Sequence, residues 1–455
     1  DDALRTLTEA QPKYPELASE FAMALGTAQK AAGQMAQAQK SFEDALKKDP
    51  RSEDAKEGLG RVLLARSREK ELTDRLRPEK DARKVALLRG IAWYRLGEYK
   101  TARSELQTTQ VGGKYPAEAA IYLALSDAAE EGSGDKAIET LEKFANTLKK
   151  NRAVVQVALA RVYMQKGALD KARAQLEEAA KDPQDYEGNA MLGELLLKAG
   201  VPTEVAMEPL LHAVERNGSH APSKHLLIRA LLSVGKVSDA VKQVDAWVVD
   251  NPGLDTVWRA AALVYLQAGR IKDAAAALAK VGDKDDIDWF RTKAQVAFAA
   301  GDGKTATEAL TRANKLNPKD ADTFCEIGAM FVRQGLLDNA VAGYGAATGN
   351  DPKSICGQGG PLYARPVKGK AKDLLTSLAN KSTHAWEKGW LLSSLARVKL
   401  LENDVQGARE VADEAMAAAP FHPAVRFANG EVFRREHRDD KALEAYGKAA
   451  EYDAS

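Results

Sequence analysis

The chain has 455 residues, with 66 lysines and arginines against 65 aspartates and glutamates, so its formal charge of +1 supplies no global field for nucleic acid or an anionic membrane. Alanine, leucine, lysine and glutamate are plentiful, aromatic residues make up only 6%, and β-branched alternation is scarce, which points to helices and away from a β-rich fold. No run of about 18 apolar residues occurs and no charged-apolar-small leader opens the chain, so no direct membrane insertion is expected.

In chain order, Asp1 to Pro15 carries Ala3, Leu7 and Ala10 at the spacing of a second helix without its first, so a longer chain is expected upstream. Ser19 to Ser52 is a complete helix pair, with Leu25 and Gly26 before a turn at Gly33 and Ala38, Phe42 and Ala45 after it. The stretch 64–84 lacks a glycine turn and is densely charged. It reads either as a lengthened, solvent-facing connection or as a degenerate helix with a solvated face. The pattern returns from Val85, continues through Asp135 to Phe144 and Ala153 to Pro183, and passes over Pro209, where a kink is expected. Ala321 to Pro352 shows it most fully: Ile327, Gly328 and Phe331 on one helix face, a turn at Gly335 and Asp338, then Ala340, Tyr344 and Ala347 on the next helix. Residues 353–384 break it. Glycines, Pro361, Pro366 and the cations Arg365, Lys368, Lys370 and Lys372, with no acid before Asp373, predict a basic insertion that leaves the array as a loop and either contacts a partner or phosphate-rich ligand or is merely solvated. Residues 385–455 resume the helix pairs, and the chain stops without a polar capping helix, so an ordered piece of a longer protein is expected.

The small residue that opens each second helix recurs at Ala38, Ala102, Ala137, Ala172, Ala206, Ala240, Ala274, Ala306, Ala340, Ala408 and Ala442, often about 34 residues apart, with a large residue four positions later. This skeleton resembles the tetratricopeptide repeat, a helix-turn-helix unit, over nearly the whole chain. The resemblance implies an all-α, right-handed superhelical solenoid of about twelve repeats: an array over 1–352, the insertion over 353–384, and further repeats over 385–455.

No catalytic constellation emerges. GDGKT at Gly301 to Thr305 resembles the end of a phosphate loop, but Phe298 stands where the first glycine is needed and no strand precedes it. GQGG in the insertion lacks both flanking elements. The histidines His212, His220, His225, His384, His422 and His437 show no metal-ligand spacing, although the first three fall near one repeat junction. No cofactor, metal or enzymatic activity is therefore expected. The two cysteines, Cys325 and Cys356, lie about one repeat apart: either a bond pins the insertion to its neighbour, or both are reduced and partly buried.

The resemblance places the second, fifth and ninth positions of each first helix on a concave groove, here Tyr122, Val157, Arg161, His225, Arg229, Arg259, Arg291, Arg397 and Phe427. Arginines at consecutive fifth positions would suit carboxylates of a partner segment, unless Glu187, Glu194, Asp288 and Asp322 neutralise them within the chain. The lysine, asparagine and arginine clamp with which some family members grip chaperone tails is not matched. The expected function is a non-catalytic scaffold or adaptor that binds a protein segment with acidic side chains. Composition and register look bacterial, which suggests assembly, localisation or activation of a surface machine such as a pilus, motility or secretion apparatus. A periplasmic cell-envelope or polysaccharide-export assembly factor should show the cysteine bond. A cytoplasmic regulatory adaptor for a small GTPase or response regulator should show free thiols.

Overall fold

The computed structural model describes residues 5–7, 9, 17–76, 83–131, 134–147, 152–182, 184–199, 201–282 and 286–452. Residues 1–4, most of the rest of the expected opening helix, and Pro183 lie outside these. Among the described residues there are twenty-six helices in thirteen consecutive pairs, from Ala18–Ala31 and Met35–Lys48 to Pro423–Arg435 and Asp439–Tyr452, and no strand beyond an isolated bridge between Val111 and Lys114.

Several pairs are held by a missing side chain. A Cβ built on Gly328 in Ala321–Arg333 would stand 2.8 Å from the ring of Tyr344 in the partner helix Leu337–Asn350, so only glycine lets the two axes approach that far. Tyr344 is also wedged against the following pair, because a Cβ on Gly360 would overlap the same ring. Phe42 repeats this arrangement between Gly26 and Gly58. The large residue of one second helix thus fills the gap between two successive first helices. The turns within pairs need a left-handed backbone, supplied by Gly33, Gly97, Gly167, Gly235, Gly269, Gly301 and Gly335 with φ between 70° and 82°.

Both irregular zones are helix pairs. In 64–84, Ser67 adopts φ 56° in place of glycine, and the short helix Glu69–Arg75 buries Leu72 and Thr73. Its following connection, 77–82, lies outside the described residues. The expected loop at 353–384 is instead the helices Ile355–Ala364 and Lys370–Lys381. Ser354 caps the first by accepting from the Gly357 amide at 3.0 Å. Gly357, Gly359 and Gly360 are buried packing positions: a Cβ on Gly359 would stand 2.7 Å from Leu391, and one on Gly357 2.6 Å from the Thr348 hydroxyl. Pro361 lies inside that helix, as Pro209 lies inside Thr203–Arg216, and neither ends it.

The chain divides into two compact units, Asp1–Leu227 and Ile228–Ser455. In unit 1 the Asn217 side chain donates to the Ala65 carbonyl at 2.8 Å across 152 residues. Arg95 reaches Glu187 at 3.2 Å across 92. In unit 2 a Cβ on Gly235 would stand 2.7 Å from the Ala418 carbonyl oxygen, and one on Gly269 2.7 Å from the Tyr452 ring. Each unit therefore curves until early turns meet late helix ends of the same unit.

Two glycines near each other separate packing from propensity. Gly328→Ala is expected to destabilise by about 1–3 kcal/mol through overpacking on Tyr344. Gly345→Ala, on an exposed helix position with nothing within 4 Å, should stabilise by about 0.8–1 kcal/mol. Urea unfolding followed by circular dichroism checks both signs.

Candidate functional site

In unit 1 the inner residues form a charged cluster around Glu187. Arg161 donates to its carboxylate from the preceding repeat, and Arg95 does so from three repeats back while also holding the Leu64 carbonyl at 3.0 Å. Burial pushes the Glu187 carboxyl up, but Arg95 and Arg161, helped by His220, outweigh it and hold the pKa at about 2. His220 is buried, meets the Tyr186 ring edge-on at 5.0 Å and shares a 2.6 Å hydrogen bond with Ser223. Burial lowers it to about 4, against the pull of Glu187. Asp185 caps Tyr186–Lys198 by accepting from the Gly188 amide at 3.0 Å. Burial raises it to about 6, and its Oδ2 is buried without a hydrogen-bond partner.

In unit 2 the inner surface encloses a cavity of about 310 Å³. Leu263, Gln295, Glu326, Tyr363, Trp390 and Ala424 line it, one from each of six successive first helices, and Trp386, Glu387, His422, Arg333 and Tyr452 complete much of the wall. Six successive first helices can share one space only if that side of the stack is concave. Tyr363 and Trp390 pack at 5.3 Å between ring centroids and Trp386 and His422 at 4.5 Å, all four half-buried. Glu326 accepts from the Gln295 amide at 2.6 Å, and Glu387 from the Ser382 hydroxyl at 2.6 Å.

The arginines expected to face a partner are largely engaged by their own chain. Arg161 pairs with Glu187. Arg259 pairs with Asp286 at 2.8 Å, and Arg291 with Asp288, with Asp320 at 3.2 Å and with Asp322 at 2.7 Å. Asp286 and Asp320 are the N-caps of the next first helices, so these arginines clamp each repeat to its successor. Arg397 donates to the Tyr363 carbonyl at 3.0 Å and lies over the rings of Tyr363 and Phe427 at 5.8 and 6.0 Å. Arg229 is exposed and, among the described residues, has no ion pair; His225 is exposed beside it in sequence. Of the expected apolar contacts, Tyr122 and Val157 are buried in the core of unit 1, Tyr122 against Tyr94 at 5.4 Å, whereas Phe427 is 44% exposed. Glu194 pairs with Lys198 on its own helix.

In the former insertion Arg365 pairs with Asp338 at 2.8 Å, Lys368 and Lys372 are exposed, and the side chain of Lys370 lies outside the described residues. Cys325 and Cys356 stand on successive first helices with Cα atoms 6.1 Å apart, within disulfide range. GDGKT begins a helix whose Asp302 side chain accepts from the Thr305 amide, an ordinary N-cap. Among the described residues no group of three or more metal-ligating side chains converges and no helix is long and apolar enough to cross a membrane.

Two tetratricopeptide-repeat family profiles match the chain, one over residues 128–187 and the other over 23–71 and 225–286. The chain is a tetratricopeptide-repeat protein. Its thirteen helix pairs extend that architecture through the stretches the profiles leave unmatched, including 353–384. No curated protein matches the sequence. Among solved structures, the Cut9-Hcn1 hetero-tetramer of the APC/C is similar at 12% identity and a TM-score of 0.43, covering 98% of this chain and 96% of that one. Yeast Tom70 is similar at 15% identity and a TM-score of 0.38, covering 95% and 96%. Likenesses at this level carry no argument about what the tetratricopeptide-repeat protein binds.

The unit 1 cluster makes stability depend on pH in separable steps. Glu187, depressed, contributes stability present above its unfolded value near 4.5 and lost as pH falls towards 2. His220, also depressed, loses stability as pH falls from about 6.5 to 4, whereas Asp185, raised, gains it as pH falls from about 6 to 3.8. The two oppose each other between pH 6 and 4. Asp185→Asn keeps the helix cap and removes the opposing gain. Denaturation midpoints measured from pH 7 to 4 should fall further for the variant than for the parent.

Proposed function

We propose that this tetratricopeptide-repeat protein is a non-catalytic scaffold that binds an extended segment of a partner protein against the concave inner surface of its repeats. The observation that carries the reading is the cavity in unit 2, where six successive first helices present half-buried rings and polar groups to one open space. Protein recognition suits such a surface because every repeat adds one row of contacts along a chain laid through it. Exposed Arg229, with Lys368 and Lys372, supports acidic side chains on that segment; Arg161, Arg259 and Arg291 are already neutralised and do not. In the cell, the role we assign is assembly, localisation or activation of a bacterial surface machine, supported by the sequence resemblance alone.

A photo-crosslinking amino acid tests the inner surface directly. Placed at Leu263, in the cavity wall, it should trap a protein from a lysate of the source organism. The same group at Val249, which is 79% exposed on a second helix, should not. Equal trapping at both, or trapping at Val249 alone, removes the concave surface from the account. Circular dichroism confirms that both proteins are folded.

The facing cysteines favour a second reading, in which the scaffold serves cell-envelope assembly in an oxidising compartment such as the periplasm. Alkylation of the native protein before and after reduction, followed by intact mass, distinguishes the compartments. Two thiols that label only after reduction support the envelope reading, and two that label at once support a cytoplasmic adaptor.

A further inference from the structure

The cavity in unit 2 carries more chemical information than its size. Trp386, Trp390, Tyr363 and His422 supply aromatic surface, and Glu326 and Glu387 supply two carboxylates against the single guanidinium of Arg333 in the same wall. His422 accepts a hydrogen bond from the Ala424 amide at Nδ1, at 3.1 Å. The lining therefore brings two carboxyl groups and one guanidinium to the same space. Arg333 is drawn to the ring of Phe298, 5.2 Å from its centroid, and Arg291 is shared among Asp288, Asp320 and Asp322. Burial raises the pKa of Glu326 against the pull of the Gln295 amide, Arg333 and Arg291, and a further cation held beside it would favour its charged form. Aromatic faces with a carboxylate among them are the surroundings that a guanidinium or ammonium group prefers over an apolar or anionic one. The chain uses the same chemistry on itself nearby, where Arg397 lies over Tyr363.

We propose that this cavity is a receptor for an arginine or lysine side chain carried by the partner segment, with Trp386 and Trp390 as the aromatic walls and Glu326 as the counter-charge. The inference rests on the concave surface being the place where a segment binds, and it adds the chemistry of one anchor. It differs from the acidic preference assigned to Arg229: the segment presents carboxylates to the exposed cations and one buried cation to the cavity. At about 310 Å³ the space is large enough for a long side chain.

Titration calorimetry of the full chain with acetylated, glycine-flanked peptides bearing arginine, lysine, glutamate or leucine at the centre tests it, with free arginine as a further arm. The arginine or lysine peptide should bind at least about tenfold tighter than the glutamate and leucine peptides and than free arginine. Glu326→Gln, which keeps the shape of the side chain, and Trp390→Leu should each weaken that binding by about tenfold or more, with unchanged circular dichroism. Val249→Ser, at an exposed second-helix position outside the cavity wall, should leave it unchanged. The proposal is overturned if neither basic peptide binds, if the glutamate or leucine peptide binds as well, if free arginine binds as tightly as the peptide, or if Glu326→Gln has no effect. Crosslinking at Leu263 without basic-peptide binding would leave the scaffold standing and remove the cationic anchor. Basic-peptide binding without trapping at Leu263 would do the reverse.

Discussion

The wedge of one large side chain between two glycines organises this protein. Where a Cβ would stand only 2.5 to 3.0 Å from its neighbour, at Gly26 against Phe42, Gly90 against Leu106, Gly193 against Leu210, Gly328 against Tyr344 and Gly430 against Tyr446, the two helices of a pair lie closer than side chains on both would permit. Phe42 and Tyr344 go further and also meet a glycine of the next pair, at Gly58 and Gly360. That second contact packs one repeat on the next. Elsewhere in unit 2 Asp286 reaches Arg259 and Asp320 reaches Arg291 between successive first helices, and the first helices line a common cavity.

The repeat itself was legible because its marks are local and periodic: a small residue, a left-handed glycine and a large residue at fixed offsets. The same marks misled at 353–384. Glycine in a sequence signals either a backbone that must bend or a surface that must be approached closely, and only the neighbours decide which. Gly357, Gly359 and Gly360 serve the second purpose, so the segment is a helix pair and not a loop. Ser354, a good cap three residues ahead of Gly357, was the available hint. At 64–84 the turn was hidden because Ser67 takes the conformation that glycine takes elsewhere.

The binding surface was less legible than the fold. Arg161, Arg259 and Arg291 stand on first helices, but a side chain's partner is decided by what lies one repeat ahead, and acids there engage these arginines. The cavity rings come from positions 344, 363, 386, 390, 422 and 452, which follow no single offset, so periodicity could not gather them. Ion pairs of Arg95, Arg161, Arg259 and Arg291 join repeat to repeat, and what these leave for a partner is shape, aromatic surface and a few charges with defined neighbours.

The contacts that close each unit change how such an array should come apart. A straight stack of repeats has only nearest-neighbour interfaces, so it frays from its ends one repeat at a time, as a one-dimensional chain of weakly coupled elements does. Asn217 on Ala65 and Arg95 on Glu187 in unit 1, and Tyr452 against Gly269 in unit 2, add couplings between repeats far apart in sequence. Losing the helix Asp439–Tyr452 then also uncovers a turn near the beginning of unit 2, so the last described helix of unit 2 is tied to an early turn of the same unit. Each unit is thereby clasped, and contacts beyond nearest neighbours make its unfolding more cooperative than that of a straight stack.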